Sequence, residues 1–471
     1  MSDNLPEGWI DCVMGEVADV IGGGTPDTKH ESNFSTVEGV PWITPADLSN
    51  YRDMYISRGK RFLTEKGFKA SSARLLPKGS VLFSSRAPIG YVAISANEVT
   101  TNQGFKSFVC KNGIDPEYLY FYMKYAKPLA EELASGTTFA EISGKNAAKI
   151  PVRIAPISEQ LRIANKLKEV LAKVETCQSH LEKVPILLKR FRQSVLAAAC
   201  SGRLTEDWRP EHTDIAPASK ITNVLEKAHE AAGGHRRGNA APPTEDVHTL
   251  EQAEFPDTWT IAEMRSLVCP DRAITYGILK PGPDTQGGVP YVRVADFPND
   301  RLNLSSIRRT TKEIDASYAR ARLREGDLLL SIRGTVGRVC TVPLELKGAN
   351  ITQDTARLSI QPSMNRDYVE WFLRAPQTQD RMKLAVKGVA VRGINIGDVR
   401  ALQVPVPPWT EQNEIVKRVV ELFGLADRVE ERFRKSQARV DRLSRSLLEV
   451  AFRGELVSTG LKPASKAKAT D

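Results

Sequence analysis

The sequence predicts an α+β protein in which two pseudo-symmetric mixed α/β domains are separated by two long coiled-coil helices. Three observations predict it: an ordered internal duplication, short β-rich runs bounded by glycine and proline, and two long heptad stretches. The chain has 471 residues, 41% hydrophobic and 26% charged. That is more than one domain at the usual ~100–200 residues each, with enough apolar material for real cores. No run approaches the ~18 apolar residues of a membrane span. The start, MSDNLPEGW, lacks the charged-then-apolar pattern of a secretory signal. The expectation is a soluble, cytoplasmic protein. Lys and Arg number 66 against 57 acids, a formal charge of +9, which favours a polyanionic partner only weakly.

The duplication is read from matched residues in constant order. Leu5-Pro6-Glu7-Gly8-Trp9 returns as Phe255-Pro256-Asp257-Thr258-Trp259, and Ala46-Asp47 as Ala295-Asp296. The run Gly79 to Arg86 returns as Gly326 to Arg333, and each arginine is followed four residues later by a glycine, Gly90 and Gly337. Pro156-Ile157-Ser158-Glu159-Gln160 returns as Pro408-Trp409-Thr410-Glu411-Gln412, and Gly202 as Gly454. Between shared landmarks the two copies diverge. One scaffold carrying two different binding surfaces is the natural reading.

The elements follow in order. Residues 1–157 form the first domain, with a strand expected at Ser80–Ser84 and a short helix at Glu117–Lys124. Residues 158–204 form a spacer helix, because Ile163, Leu167, Val170, Val174, Cys177, Leu181, Val184, Leu188, Phe191, Val195 and Ala198 alternate steps of four and three. Pro185 falls within it and should bend it rather than end it. Residues 205–254 read as a linker with a possible short helix, Ser219–Ala231. Residues 255–409 form the second domain, with a strand expected at Asp327–Ile332 and a helix at Tyr368–Arg374. Residues 410–457 repeat the spacer helix, from Ile415 through Val419, Leu422, Ala426, Val429 and Phe433 to Val450. Ser158 and Thr410, before Glu-Gln, suit N-caps. Residues 458–471 read as a disordered basic tail.

Catalytic motifs are mostly missing. Gly144-Lys145-Asn146 lacks the third residue and the leading glycine of a phosphate loop. Gly22-Gly23-Gly24 has no lysine after it and reads as a turn. Val406-Pro407-Pro408-Trp409 has valine where a base methylase needs a polar acceptor. Pro283-Asp284 with Glu345-Leu346-Lys347 fits a metal nuclease only loosely, without a counterpart in the first copy. The six cysteines show no metal-ligand spacing, and no histidine falls in the second copy. The repeated residues are Arg86/Arg333, Gln103/Gln353, Gly136/Gly388 and Ile142/Ile394. The arginine either pairs with a carboxylate or contacts phosphate, which its forked donors match.

Two divergent domains, each followed by a long helix opening with Pro-x-x-Glu-Gln, resemble the specificity subunits of type I restriction–modification enzymes. LPEGW at residues 5–9, the TNQGFK run at Thr101–Lys106 and RFRQSVLAAACSGRLTEDWR at Arg190–Arg209 carry the likeness, which covers essentially the whole chain. The resemblance implies a non-catalytic subunit for sequence-specific binding of double-stranded DNA, each domain reading one half of a split target. It implies that the helices pack antiparallel, space the halves and dock two modification (methyltransferase) subunits. No cofactor or metal is expected in this chain; S-adenosylmethionine, ATP and Mg²⁺ are expected on the modification and restriction/translocase subunits. No membrane is expected to be involved. For base readout from loops, the candidates are Thr25, Arg86, Lys106, Thr137, Thr138 and Lys145 in the first domain. In the second they are Tyr276, Lys280, Arg293, Arg333, Arg392 and Asn395. A coiled-coil scaffold for proteins alone, or a stand-alone nuclease, are the alternatives.

Overall fold

A computed structural model describes residues 5–86, 88–136, 140–231, 250–386 and 393–457. The chain divides into two units, Met1–Glu182 with Phe433–Asp471, and Lys183–Arg432. Each unit therefore joins one mixed domain to segments of the long helices.

In the first unit a two-stranded clasp pairs Ile10–Val13 antiparallel with Pro151–Ile154, so the start of the domain meets the segment that leads into the spacer helix. The main sheet has five strands in the order Ala18–Gly22, Lys106–Cys110, Val81–Ser85, Ile89–Ser95 and Tyr55–Ile56. Every residue of Val81–Ser85 is buried, which explains its unbroken apolar-and-serine run in place of alternation. A second, four-stranded sheet orders Phe34–Ser35, Arg61–Leu63, Val40–Ile43 and Thr100–Thr101. The helix Pro116–Tyr125 begins at Asp115, whose side chain accepts from Tyr118 N. It covers the main sheet with Tyr118, Leu119 and Tyr122 among its buried residues.

The second unit repeats this plan. Thr260–Glu263 pairs with Gln403–Val406. The main sheet has the order Thr275–Tyr276, Thr355–Leu358, Leu328–Ser331 and Val339–Thr341, and a three-stranded sheet orders Arg308–Thr310, Val289–Val292 and Asn350–Ile351. Arg366–Arg374 is the matching helix, capped by Asn365. Ser219–Ala231 forms a helix that buries Leu225 in this unit's core. Residues 232–249 of the expected linker and the expected tail, 458–471, lie outside the described residues.

The Glu-Gln pair after the repeated proline ties each long helix to its domain. Gln160 accepts from Asp115 N at 2.9 Å and donates to the Gly113 and Ala155 carbonyls at 3.0 and 2.8 Å. Gln412 accepts from Asn365 N at 2.8 Å and donates to the Pro407 carbonyl at 2.8 Å. The expected capping by Ser158 does not occur. The helix starts two residues earlier than that cap would set it, at Ile157 with Pro156 as a cap that lacks a side-chain hydrogen bond, and Thr410 likewise falls inside a helix that starts at Trp409. Proline fixes the entry backbone without any hydroxyl.

The first spacer is two helices, Ile157–Leu181 and Val184–Cys200. Pro185 sits in the first turn of the second, where its missing N–H costs least. Glu182 and Lys183 between them keep right-handed helical dihedrals, φ −57°, ψ −24° and φ −80°, ψ −23°. The hydrogen-bond ladder is interrupted while the local backbone stays helical. The second spacer runs unbroken from Trp409 to Phe452. Both stop at a glycine in the left-handed region, Gly202 at φ +79° and Gly454 at φ +81°. A Cβ at Gly202 would also press on Pro256, and one at Gly454 on Pro6, so each helix end seats the repeated proline at the start of its domain.

Of the heptad positions, Ile163, Leu167 and Val174 are buried in the first unit, and Leu188, Val195, Ile415, Val419 and Ala426 in the second. Val429 and Leu443, on the same spacing, are about two-fifths exposed, and Cys177 is exposed as well. Within the second unit the two helices run antiparallel. Arg192 pairs with Asp427 and Glu430 at 2.7 and 2.9 Å, whereas Thr205 and Arg209, further along, reach back to Glu411 at 2.7 and 2.8 Å.

Candidate nucleic-acid interface

The repeated arginines stand at the same turn in both units. Ser84 Oγ donates to the Pro88 carbonyl and accepts from Tyr91 N, at 2.7 and 2.8 Å. Ser331 Oγ does the same with the Thr335 carbonyl and Arg338 N, at 2.5 and 2.8 Å. This buried serine closes the hairpin that follows the central strand, and so presents Arg86 or Arg333 two residues later at its tip. A returning segment zips alongside: Ile142 N donates to the Ser85 carbonyl at 3.0 Å, and Ile394 N to the Ile332 carbonyl at 2.9 Å. That contact accounts for the repeated isoleucine.

A glycine crossing completes each site. A Cβ at Gly23 would lie 1.9 Å from the Asn102 carbonyl oxygen, and one at Gly277 would lie 1.9 Å from that of Ile351. Only glycine permits this close backbone approach. The correspondence was hidden because the copies differ in length on either side of it.

In the first unit these contacts bring Arg86 and Lys106 onto one carboxylate. Glu141 Oε2 lies 3.3 Å from Arg86 Nη1, and its Oε1 lies 3.4 Å from Lys106 Nζ. Lys106 also reaches Ser85 Oγ at 3.4 Å and keeps only 14% of its side chain exposed. Register places Gly22 opposite Lys106, so Thr25 emerges at this same end; its Oγ1 is buried without a hydrogen-bond partner. Lys145 is exposed on the short helix Gly144–Ala147, whose cap is Ser143. Thr137 and Thr138 lie outside the described residues. Glu141 was missed in the sequence because its position in the second copy is Gly393, which bridges Arg333 as Glu141 bridges Arg86.

In the second unit Arg333 is exposed and donates from Nη1 to Gln353 Oε1 at 2.9 Å. Gln353 N bonds the Ile278 carbonyl at 2.9 Å. This places the half-buried Tyr276 and the exposed Lys280 at the same end of the sheet. Asn395 caps the helix Ile396–Ala401 by accepting from Gly397 N at 2.5 Å, so its oxygen is already engaged. Arg293 is committed internally: its Nε and Nη2 donate to the two oxygens of buried Asp296 at 2.9 and 2.6 Å, and Nη2 also reaches the Ser306 carbonyl. Hydrogen bonding to Asp296 raises the Arg293 pKa further. Asp296 is the repeated aspartate, and its counterpart Asp47 accepts from Thr44 N and Oγ1 at 2.8 and 2.7 Å. Arg392 lies outside the described residues.

Arginine alone does not mark this surface. At the opposite end of the second sheet, Arg272 pairs with Asp327 at 2.6 Å, and buried Arg357 donates to Ser359 at 2.6 Å. Burial pushes the Arg357 guanidinium down to about 10. As for the nuclease alternative, Asp284 caps Arg309 N at 2.8 Å. Among the described residues no group of three His, Cys, Asp or Glu is placed to hold a metal, and no helix is long and apolar enough to cross a membrane.

The two units thus share one frame: a strand clasp, a long helix tied on by a Glu-Gln pair, and an arginine turn after the central strand. The family model for the type I restriction modification DNA specificity domain matches residues 6–185 and 279–432, and the chain belongs to that family. It is 32% identical over 325 residues to the EcoBI specificity subunit of Escherichia coli, covering 69% of this chain and 62% of that one. It is 42% identical over 166 residues to the MjaIX specificity subunit of Methanocaldococcus jannaschii, 35% of this chain and 38% of that one. Against the EcoKI specificity subunit of E. coli K12 the identity is 26% over 477 residues, 96% and 90% of the two chains. The alignments thus span less than two thirds of the first two relatives and nearly all of the third. The fold is similar to the HsdS subunit of Thermoanaerobacter tengcongensis, with a TM-score of 0.59 at 18% identity over 96% of this chain and 99% of that one. It is also similar to a chain from a study of complex assembly and conformational transition of a type I R-M system, with a TM-score of 0.61 at 18% identity over 96% and 100% of the two chains.

Proposed function

We propose that the chain is the DNA sequence-specificity subunit of a type I restriction–modification complex and is itself non-catalytic. Each unit reads one half of a split double-stranded target through the sheet end that carries Arg86 or Arg333. The observation that carries this reading is the repetition of one arginine turn on two sheets whose surrounding residues differ, within a family of specificity subunits. Arginine at a loop tip suits both phosphate and guanine edges. The side chains already engaged, Arg293 foremost, serve the frame. Thr137, Thr138 and Arg392 remain candidates for contact, with Thr25, Lys106, Lys145, Tyr276, Lys280 and Asn395 around the two arginines.

The long helices space the two readings and dock two methyltransferase subunits, which bring S-adenosylmethionine. Restriction/translocase subunits bring ATP and Mg²⁺ and complete the assembly in the cytoplasm. Methylation mapping in a host that carries this chain with its partner subunits tests the reading. A two-part methylated motif with a fixed gap is expected, and methylation without any such motif overturns it. Methyl transfer or cleavage by the pure chain alone overturns the non-catalytic assignment.

A further inference from the structure

We infer that Glu141 is a specificity-determining residue of the first unit, a carboxylate that holds Arg86 and Lys106 back from mismatched DNA. The inference rests on the DNA-reading function proposed above. Both carboxylate oxygens are engaged, Oε2 by Arg86 at 3.3 Å and Oε1 by Lys106 at 3.4 Å. One anion thus restrains the two cations that stand at the reading end of the sheet. Arg86 and Glu141 are each a little over one-third exposed and Lys106 is less so, so solvent screens the cluster and keeps each pair weak. Such pairs are cheap to break, and they bias a choice rather than lock a conformation.

Among the described residues of the second unit, no carboxylate pairs with Arg333 in this way. Phe108 pairs with Val81 as Leu358 pairs with Leu328, which aligns Lys106 with Ala356. The backbone bridges align Glu141 with Gly393. Arg333 is left exposed and held by the neutral amide of Gln353. The two halves therefore face DNA with different charge logic.

A carboxylate at a DNA surface repels phosphate but accepts from the exocyclic amine of a base. On a matched first half-site, Glu141 takes a base-edge donor and frees Arg86 and Lys106 for the backbone. On a mismatched one it keeps both cations, and the phosphate contacts are lost. This is specificity achieved by penalising the wrong partner.

The test is Glu141→Gln in the full chain, assembled with its modification subunits. Binding is measured over a range of salt on three duplexes: the mapped target, one with the first half-site scrambled, and one with the second scrambled. For E141Q, affinity for the first-scrambled duplex should rise about tenfold, in keeping with the modest strength of two solvent-screened ion pairs. Discrimination at the first half-site should fall to match, while discrimination at the second stays unchanged. The salt slope on the first-scrambled duplex should steepen by up to about 1.8, at ~0.9 per freed cation. In an Arg86→Ala/Lys106→Ala background, E141Q should lose most of its gain on the first-scrambled duplex and all of the steepened salt slope. An equal gain on both scrambled duplexes, or the same gain without Arg86 and Lys106, reduces Glu141 to one surface charge and overturns the inference. Unchanged discrimination also overturns it. Failure of the unmutated complex to distinguish the mapped target from either scrambled duplex overturns the DNA-reading proposal itself, whatever E141Q does.

Discussion

Glu411 shows how much one residue of a repeated motif can do, and how differently its twin can be used. It is buried and accepts from Trp259 Nε1 at 2.9 Å, Thr205 Oγ1 at 2.7 Å and Arg209 Nη1 at 2.8 Å. It joins the domain's first tryptophan to the helix start and to the turn after Gly202. Its twin Glu159 is also buried, but Glu159 Oε1 and Trp9 Nε1 both lack hydrogen-bond partners. The position of Thr205 is taken by Val457, which offers no hydroxyl. Glu411→Ala should therefore cost ~2–4 kcal/mol, because it strands a buried indole donor and a partly buried guanidinium. Glu159→Gln should cost under ~1 kcal/mol, since the charge it removes has less support. Urea unfolding of the two variants reads the difference, and equal losses would refute the asymmetry.

At the scale of elements, the ends of the long helices are held by side chains that no heptad pattern specifies. Phe452 closes the last helix inside the first unit, with its ring centroid 4.8 Å from that of Tyr122 and 5.4 Å from those of Tyr118 and Tyr125. Phe452→Ala should cost about 3–5 kcal/mol through the cavity it leaves. Thermal unfolding checks the size, and a loss below ~1 kcal/mol would mean that the helix end is not anchored there. Lys168 on the Ile157–Leu181 helix reaches Glu117 at 2.5 Å, and Tyr55 donates to the same carboxylate at 2.6 Å. Burial by itself would raise the Glu117 pKa, but these two hydrogen bonds and the Lys168 charge outweigh it and hold the carboxyl below its ordinary value of 4.5. A folded-state pKa below the unfolded one stabilises fully above the unfolded value, and that stability is lost as pH falls through the folded one. The first unit should lose stability as pH drops below about 4.5. Glu117→Gln should start less stable at neutral pH and show a shallower acid loss in denaturation curves taken across that window. An identical pH slope in both proteins would rule the pair out as the cause.

At the scale of the molecule, each unit carries its own core, its own clasp and its own glutamine tie to a long helix. Reading should therefore be modular. Replacing Met1–Ile157 with the corresponding domain of a relative should change one half of the methylated motif and leave the other half untouched. The graft must supply an aromatic cage for Phe452 and an acceptor carbonyl for Gln160, or it will fold poorly for reasons unrelated to DNA. Methylation mapping of a well-folded chimera decides the matter; a change in both halves would end the modular reading.

The sequence by itself determined the plan. Duplication is visible as ordered matches, helices as an apolar period, and central strands as apolar runs between glycines, because each of these is a local or periodic property. The helix over Ser219–Ala231 and the strand at Leu328–Ser331 fall where the pattern placed them. The repeated arginine turn was also legible, since Arg86 and Arg333 each follow a buried serine that closes the same hairpin in its own unit. Tertiary structure alone decided which polar side chains are spent on the fold. Arg293 looks as available as Arg333 in sequence, yet Asp296 takes its Nε and Nη2 donors. Glu141 carries no motif, yet strand return sets it between two cations that lie 55 and 35 residues away. Partners so distant in the chain leave no periodic trace. Hydrogen-bond satisfaction is settled by the packed neighbours of each group, and only the folded chain specifies them.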